Sequence, residues 1–330
     1  MKLSVIIPIY NVENYLRRCL DSAVDPQIND YEIIAVNDGS TDGSPAIAEE
    51  YAARFPQLFH LVTTPNGGLG HARNVGLSLA KGEFVLFLDS DDRLSPGALP
   101  EVMDVLSDDF DICFFDFITE DEQGHELSLT HGCQGPEWFS LADYPELLFD
   151  RANAWNKIWR KTLFTQTGIG FPDRMWYEDL ATSPKLYLNA NNMRYVPKAW
   201  YRYLLRPGSI TNSKNTARNL EIISAVDTVL DYYRASGVYE KYRDQLEYMA
   251  FYNQFLTTTT RVNAIDWKTD VQDELLRDFL DKFPQFQENP YIKNGSRKYR
   301  FLLQLILKRK HWLLHQVMRA NAVTKGRKNG

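Results

Sequence analysis

Cysteine is scarce in this 330-residue chain: Cys19, Cys113 and Cys133, with no CxxC pair. So sparse and odd a count excludes a disulfide-stapled scaffold, suits a reducing compartment and offers no thiolate metal pattern. Cys19 falls on an apolar helical face and Cys113 in an apolar strand, where small core residues belong. Long hydrophobic runs are missing too, since nothing approaches the roughly 20 apolar residues that span a bilayer. The apolar stretch Leu3 to Ile9 gives way at once to Asn11, Glu13 and Asn14, which reads against a secretory signal. The expected location is the cytoplasm, or the cytoplasmic face of a membrane. Internal repeats and low-complexity tracts are absent. A net charge of −6 argues against a general nucleic-acid binder.

Acidic residues disappear at one end. From Arg297 onward there is no Asp or Glu, while Arg297, Lys298, Arg300, Lys308, Arg309, Lys310, Arg319, Lys325, Arg327 and Lys328 are basic. The rest of the chain is therefore acidic and the tail strongly cationic. Within that tail Leu302, Ile306, Leu313 and Val317 share one helical face, with Leu305 close by and Lys308 to Lys310 interrupting. Such a segment suits docking on an anionic membrane surface, or packing on the body with a solvated basic end.

What is present is a packed-core composition, 44% apolar and 24% charged. Apolar β-branched runs alternate with helical periodicity. Strands are expected at Leu3–Ile9, Tyr31–Val36, Leu58–Val62, Glu83–Leu88 and Phe110–Phe117. Asn11 can cap a helix whose inner face is Leu16, Cys19, Leu20 and Ala23. Ser44 and Pro45 read as cap and first-turn proline of a helix to about Arg54. Asn66–Gly70 is a glycine-rich turn into a helix through Leu79. Residues 119–136 read as a loop. A helix near Tyr177–Leu188 and short strands around Arg194 and Tyr201 follow, and the chain beyond about Asn215 reads as helical. Alternation at this spacing predicts an α/β fold, a mostly parallel sheet with helices on both faces, followed by a helical C-terminal region. The boundary falls near Leu205–Asn215, giving domains of 1–210 and 211–330.

In such sheets ligands bind beyond the carboxyl ends of the strands. There the fourth strand stops in Leu88-Asp89-Ser90-Asp91-Asp92. Three carboxylates so close repel unless one is protonated or a cation intervenes. Asp89 and Asp91 have D-x-D spacing, and alternate positions of an extended segment point the same way. Mg²⁺ or Mn²⁺ takes one or two such carboxylates and leaves positions for water and phosphate. Alone, this motif fits a solvated acidic turn equally well. The second strand ends in Asn37-Asp38-Gly39-Ser40-Thr41-Asp42, where Asp38 can accept from a base or ribose, or simply make an Asp-Gly turn. Asn66-Gly67-Gly68-Leu69-Gly70 lacks the third glycine of a dinucleotide fingerprint, because position 73 is Arg. Arg73 is a candidate for a base or phosphate, or a surface residue.

Four segments in this order, Val5–Asn11, Asn37–Asp42, Gly68–Gly76 and Leu86–Asp92, resemble the family 2 glycosyltransferases and their GT-A fold. The resemblance covers about the first hundred residues. It implies inverting transfer from a nucleotide-sugar, most often a UDP-sugar, with Mg²⁺ or Mn²⁺. Carried over, Pro8 and Tyr10 line the base pocket and Asp38 binds the base. Gly68 and Arg73 lie near the nucleotide, and Asp89, Ser90 and Asp91 form the ribose and metal site. The family's late acidic pair is matched by Glu178-Asp179, giving Asp179 as general base and Glu178 as the alternate. A carboxylate is needed there to take the acceptor hydroxyl's proton, although a helix N-terminus also favours such a pair.

Trp155–Arg160 and Tyr201–Thr211 resemble a polysaccharide-building subset of the family. They offer Trp155 and Trp176 as sugar platforms, or as core residues. Arg202 and Arg206 become candidates for the diphosphate, and Gly208-Ser209 for a closing loop. The implied acceptor is a glycan or lipid-linked glycan. A non-catalytic nucleotide-sugar-binding protein is the alternative, disfavoured by the intact Asp89, Asp91 and Asp179. A sugar-phosphate nucleotidylyltransferase would want a basic glycine-rich loop where Tyr10-Asn-Val-Glu13 stands.

Overall fold

The structure is a computed structural model that describes residues 1–106, 109–206, 215–295 and 297–326. The chain divides into two units, Met1–Ser209 and Ile210–Gly330.

The first unit is built on one sheet. Its strands are β1 (Leu3–Ile9), β2 (Tyr31–Asn37), β3 (Phe59–Thr63), β4 (Phe84–Phe87), β5 (Arg93–Leu94), β6 (Ile112–Glu120), β7 (Glu126–Thr130), β8 (Trp138–Phe139), β9 (Lys157–Arg160) and β10 (Met193–Leu204). The order is β3-β2-β1-β4-β9-β6-β10-β5, with β7 on β6 and β8 on β10. The four strands of the β3-β2-β1-β4 half are parallel. Beyond them β9 runs antiparallel between β4 and β6, and β6 and β10 are again parallel. Every residue of β1 and β2 is buried, as expected for parallel strands covered on both faces.

Helices α1 (Glu13–Ala23), α2 (Ser44–Arg54), α3 (Leu69–Leu79), α4 (Ala98–Val105), α5 (Thr162–Thr167) and α6 (Ser183–Asn189) surround the sheet. Leu16, Cys19, Leu20 and Ala23 of α1 join Ala48 and Tyr51 of α2 and Leu99 and Val102 of α4 in one core with Leu3, Val5, Ile7 and Ile9. Each isoleucine or valine so buried contributes about 1.5–3 kcal/mol. The opposite face of β1 receives α3. Gly76 of α3 lies against the Ile6 side chain so closely that a Cβ would collide with it.

Several local expectations are corrected. Asn11 does not cap α1; its φ is +50° and its Oδ1 accepts from the Thr41 amide at 2.8 Å. Ser44 is the first residue of α2 rather than its cap, and its Oγ accepts from Val12 N at 3.0 Å. The caps are exchanged instead: Glu13 N donates to Asp42 Oδ2 at 3.0 Å and Gly43 N donates to Glu13 Oε2 at 2.6 Å. Residues expected as loop contain β7, which pairs with β6. The helix expected near Tyr177 begins at Ser183, after turns, and the two short strands are one strand, β10.

The second unit is helical. It comprises α7 (Glu221–Ala235), then α8 (Arg243–Ala250), which continues through a π-helical segment, Phe251–Thr258, into α9 (Thr259–Ile265). Next come α10 (Val271–Lys282), α11 (Pro290–Lys293), α12 (Arg297–Leu307) and α13 (His311–Gly326). Phe251, Phe255, Phe279 and Phe286 form its aromatic centre, with ring centroids 5.0–5.9 Å apart. The tail expected as one amphipathic helix is two. The chain turns at Lys308–Lys310, where Arg309 has φ +49°, so those cations leave the apolar stripe. Ile306 of that stripe is fully buried. Among the described residues no helix is long and apolar enough to cross a membrane.

Candidate active site

Parallel pairing brings three strand ends to one edge. Ile9 is in register with Asn37, and Asp38 N donates to Ile9 O at 2.9 Å. Phe87 is in register with Ile6, so Asp89 stands level with Pro8. Pro8 is buried, whereas Tyr10, just past the strand, is 50% exposed.

Asp38 is buried and organises the glycine turn. Its Oδ1 accepts from Gly67 N at 2.8 Å and from Thr64 Oγ1 at 3.4 Å. Its Oδ2 accepts from Gly68 N at 2.8 Å and from Asn66 Nδ2 at 3.1 Å. These donors occupy the roughly four acceptor positions a carboxylate offers. In this arrangement Asp38 serves the turn. Gly68 has φ +91°, a conformation L side chains rarely adopt, and its α-carbon also faces the Arg174 backbone.

That turn is stitched to a segment far along the chain. Arg174 N donates to Gly67 O at 2.9 Å, and Arg174 Nη2 to Asn66 O at 2.8 Å. Asn74 of α3 accepts from Phe171 N at 2.9 Å and donates to Phe171 O at 2.6 Å. Arg174 and Tyr177 both hold positive φ, +55° and +67°. Left-handed backbone at non-glycine residues persists only where surroundings enforce it. The result carries Glu178 and Asp179 to the strand edge.

Arg73 then joins the two halves of the acidic constellation. Nη1 donates to Glu178 Oε1 at 2.6 Å and Nη2 to Asp89 Oδ1 at 2.9 Å. Its guanidinium lies between the Phe87 and Phe171 rings, 5.8 and 5.3 Å from their centroids, and is 2% exposed. Burial works against its charge, but Asp89 and Glu178 outweigh burial and raise its pKa. Burial, with the neighbouring Asp179 charge, pushes Glu178 up to about 7 against the pull of Arg73. Asp179 is less enclosed, and its Oδ1 accepts from Leu180 N at 2.7 Å.

The acidic turn is divided in function. Asp92 is buried and tied to β10, accepting from Leu204 N and Tyr201 Oη, each at 2.7 Å. Burial, then Asp91 and Asp89, hold it well above the usual carboxylate range. Ser90 is buried in the turn. Asp91 Oδ2 accepts from Arg206 Nε at 2.8 Å, and Arg206 also lies over the Tyr15 ring at 4.8 Å. Arg206 is thus at the D-x-D motif. Arg202 is not so placed: it pairs with Glu126 at 2.9 Å and Glu120 at 3.5 Å. Glu120 is fully buried and also holds Arg93 at 2.6 Å and Arg18 at 3.2 Å. Trp155 is a core residue, stacked on Tyr201 and Tyr203 at 4.4 and 5.5 Å. Gly208 and Ser209 lie outside the described residues.

Lys157 escaped notice in the sequence. It is fully buried, and Nζ donates to Asn153 O, Asn156 Oδ1 and Arg151 O at 2.6, 2.7 and 3.2 Å. Burial pushes it down to about 7, and Asp179 is the charge that most opposes this. A lysine inside the aromatic segment Trp155–Arg160 was the available signal. The Tyr201 hydroxyl, which serves Asp92, carried none.

The donor set suits a divalent cation. Among the described residues no three His, Cys, Asp or Glu side chains converge on one point. Asp89 and Asp91 each spend one oxygen on an arginine, and the other oxygen of each accepts no hydrogen bond among the described residues. Two carboxylates with phosphate oxygens and water completing the shell is a usual Mg²⁺ arrangement. Burial first, and then the Asp91 charge, raise the pKa of Asp89 against the pull of Arg73.

Residues 4–174 match the sequence profile of Glycosyl transferase family 2. The chain is 28% identical over 334 residues to a putative glycosyltransferase, EpsH, of Bacillus subtilis, covering 97% of this chain and 95% of that one. It is 28% identical to the poly(ribitol-phosphate) beta-N-acetylglucosaminyltransferase TarS of Staphylococcus aureus, over 86% of this chain and 50% of TarS. Residues 1–349 of TarS, solved with UDP, superpose with a TM-score of 0.69 at 24% identity, covering 97% of this chain and 92% of that one. A mannosyltransferase from Pyrobaculum calidifontis, solved with GDP-Man and Mn²⁺, gives 0.53 at 18% identity, covering 98% and 86%. With this profile over half its length and this sheet, the chain belongs to family 2 of the glycosyltransferases and has their GT-A fold.

Proposed function

We propose that this enzyme transfers a sugar, with inversion, from a UDP-sugar to a glycan or lipid-linked glycan acceptor during cell-surface polysaccharide synthesis. The observation that carries the reading is the Arg73 bridge, which fixes Asp89 and Glu178 on one guanidinium and so brings Asp179 to the D-x-D edge. The UDP and UDP-GlcNAc in the TarS structures support the donor class. The names of TarS and of the Bacillus spizizenii poly(ribitol-phosphate) beta-glucosyltransferase support a surface-polymer acceptor.

Each residue has one task in this scheme. Tyr10, half exposed beyond β1, stacks on the base, with Pro8 behind it. Asp38 acts through the glycine turn, holding Gly67 and Gly68 so that backbone approaches the nucleotide. Asp89, Ser90 and Asp91 face the ribose and diphosphate, and Arg206 binds the diphosphate as negative charge develops on it. Asp89 and Asp91 would hold Mg²⁺ or Mn²⁺, which supplies Lewis-acid stabilisation of the leaving diphosphate when bound. Asp179 accepts the acceptor hydroxyl's proton as that oxygen attacks the anomeric carbon opposite the diphosphate. Glu178, committed to Arg73, positions rather than reacts. The cationic tail is assigned to an anionic membrane surface on the cytoplasmic side, where a lipid-linked acceptor would be met.

UDP release from a panel of UDP-sugars, with and without glycan acceptors, tests the reading. One donor turned over by the native enzyme, at a rate about 10²–10⁴-fold lower in Asp179→Asn, supports it. Turnover undiminished in that variant removes Asp179 from the chemistry.

A further inference from the structure

The α12–α13 hairpin is anchored from one side. Leu303, Leu305 and Ile306 of α12 and Leu314 of α13 are buried. His311 Nε2 lies 3.0 Å from Asp273 Oδ1, and Asn263 Nδ2 donates to His311 O at 3.0 Å. His315 Nδ1 lies 3.0 Å from Asn263 O. Turned outward are Phe301, Trp312 and Leu313, which are 50%, 57% and 40% exposed. Around them stand exposed Arg300, Lys308, Arg309, Lys310 and Arg319, with neutral Gln304 and Gln316. Neither helix contains an acidic residue. Among the described residues, Asp273 opposes this charge, 3.5 Å from Arg309 Nε and 3.0 Å from His311 Nε2.

Water alone does not favour leaving a large indole, a phenyl ring and a leucine exposed within a dozen or so residues of chain. Aromatic rings among lysines and arginines match the headgroup layer of a bilayer. There rings lie at the polar–apolar boundary, while long cationic side chains reach lipid phosphates. The sign of the charge selects anionic lipid.

We propose that the α12–α13 hairpin docks on an anionic bilayer surface, with Phe301, Trp312 and Leu313 entering the headgroup region and Lys308, Arg309 and Lys310 on lipid phosphates. The proposal rests on the lipid-linked-acceptor reading and locates the contact on the exposed side chains Phe301, Trp312 and Leu313, of which Leu313 alone belongs to the Leu302–Val317 stripe. That stripe turns partly inward, and the aromatic–basic face remains outside.

Flotation of the full chain with phosphatidylcholine vesicles, with and without phosphatidylglycerol, is the test. The native chain should float with the anionic vesicles only. Lys308→Glu with Lys310→Glu should lower the bound fraction roughly tenfold or more, and Trp312→Ala with Leu313→Ala should lower it severalfold. Trp312→Phe should remove a blue-shifted component of tryptophan emission seen on binding. UDP calorimetry on the same variants should be unchanged, so failure here is separable from failure of the catalytic reading. Equal flotation with both vesicle types, or native-like flotation of the folded double variants, overturns the proposal. Absence of flotation by the folded native chain also overturns it, and would leave the face to an acidic protein surface.

Discussion

Arg73 shows at the scale of one residue how stability and chemistry share a group. Its two carboxylate partners lie at Asp89 and Glu178, and removing it leaves the buried Glu178 and the half-buried Asp89 without their counterion. Arg73→Met should therefore cost about 3–5 kcal/mol of stability, seen as a lower thermal midpoint, and abolish transfer. Asp179→Asn should leave the midpoint almost unchanged, so the pair separates positioning from proton transfer. Glu178 adds a pH signature. Its pKa is raised from 4.5 to about 7 in the fold, so the folded chain keeps a proton that the unfolded chain has lost. Its contribution is complete below about 4.5 and is lost as pH rises through about 7. Denaturation across that window should show stability falling with pH, and Glu178→Gln should flatten the slope. An unchanged slope would assign the dependence elsewhere. Asp89 and Asp91 were singled out by their D-x-D spacing, and Arg73 and the Glu178-Asp179 pair by the family resemblance; the structure brings Asp89 and Glu178 together on Arg73. The filled carboxylate of Asp38 was not, because its donors come from a turn 26–30 residues away. Lys157 was hidden because its importance lies in burial, which a strand of mixed residues does not display.

At the scale of elements, α3 is held at both ends by glycine. Gly70 sits against the Pro172 carbonyl and Gly76 against Ile6, so neither tolerates a Cβ without displacement. Gly70→Ala should force α3 away from the 170–174 segment, costing about 1–3 kcal/mol and weakening UDP binding in calorimetry. Gly97→Ala is the contrast: it has open space around it, and only its φ of +76° is strained. Native UDP affinity in Gly70→Ala would show that the stitching of α3 to Phe171 and Arg174 is not what shapes the site. The core strands and the α1 face were readable because β-branched runs and a 3.6-residue period are strong local signals. The caps of α1 and α2 were misread because each helix start is satisfied by the other's loop. The edge strand β7 was missed because its pattern is exposed and weakly apolar. The tail was read as one helix because periodicity persists across the Lys308–Lys310 turn.

For the molecule as a whole, the sequence resemblance covered the nucleotide half, and the fold extends it. The parallel half of the sheet collects the D-x-D turn, the glycine turn and the Glu178-Asp179 pair at one edge. The second unit is helical, and its basic, aromatic hairpin sits at the end of the chain where acidic residues vanish. We propose this edge as a metal-assisted site for a nucleoside diphosphate. Titration calorimetry of UDP into the native protein and into Asp91→Ala, each with and without Mn²⁺, tests it most directly. UDP binding should be strengthened by Mn²⁺ in the native protein, and that strengthening should be lost in Asp91→Ala. UDP binding equal under all four conditions, or no binding in any of them, would contradict it.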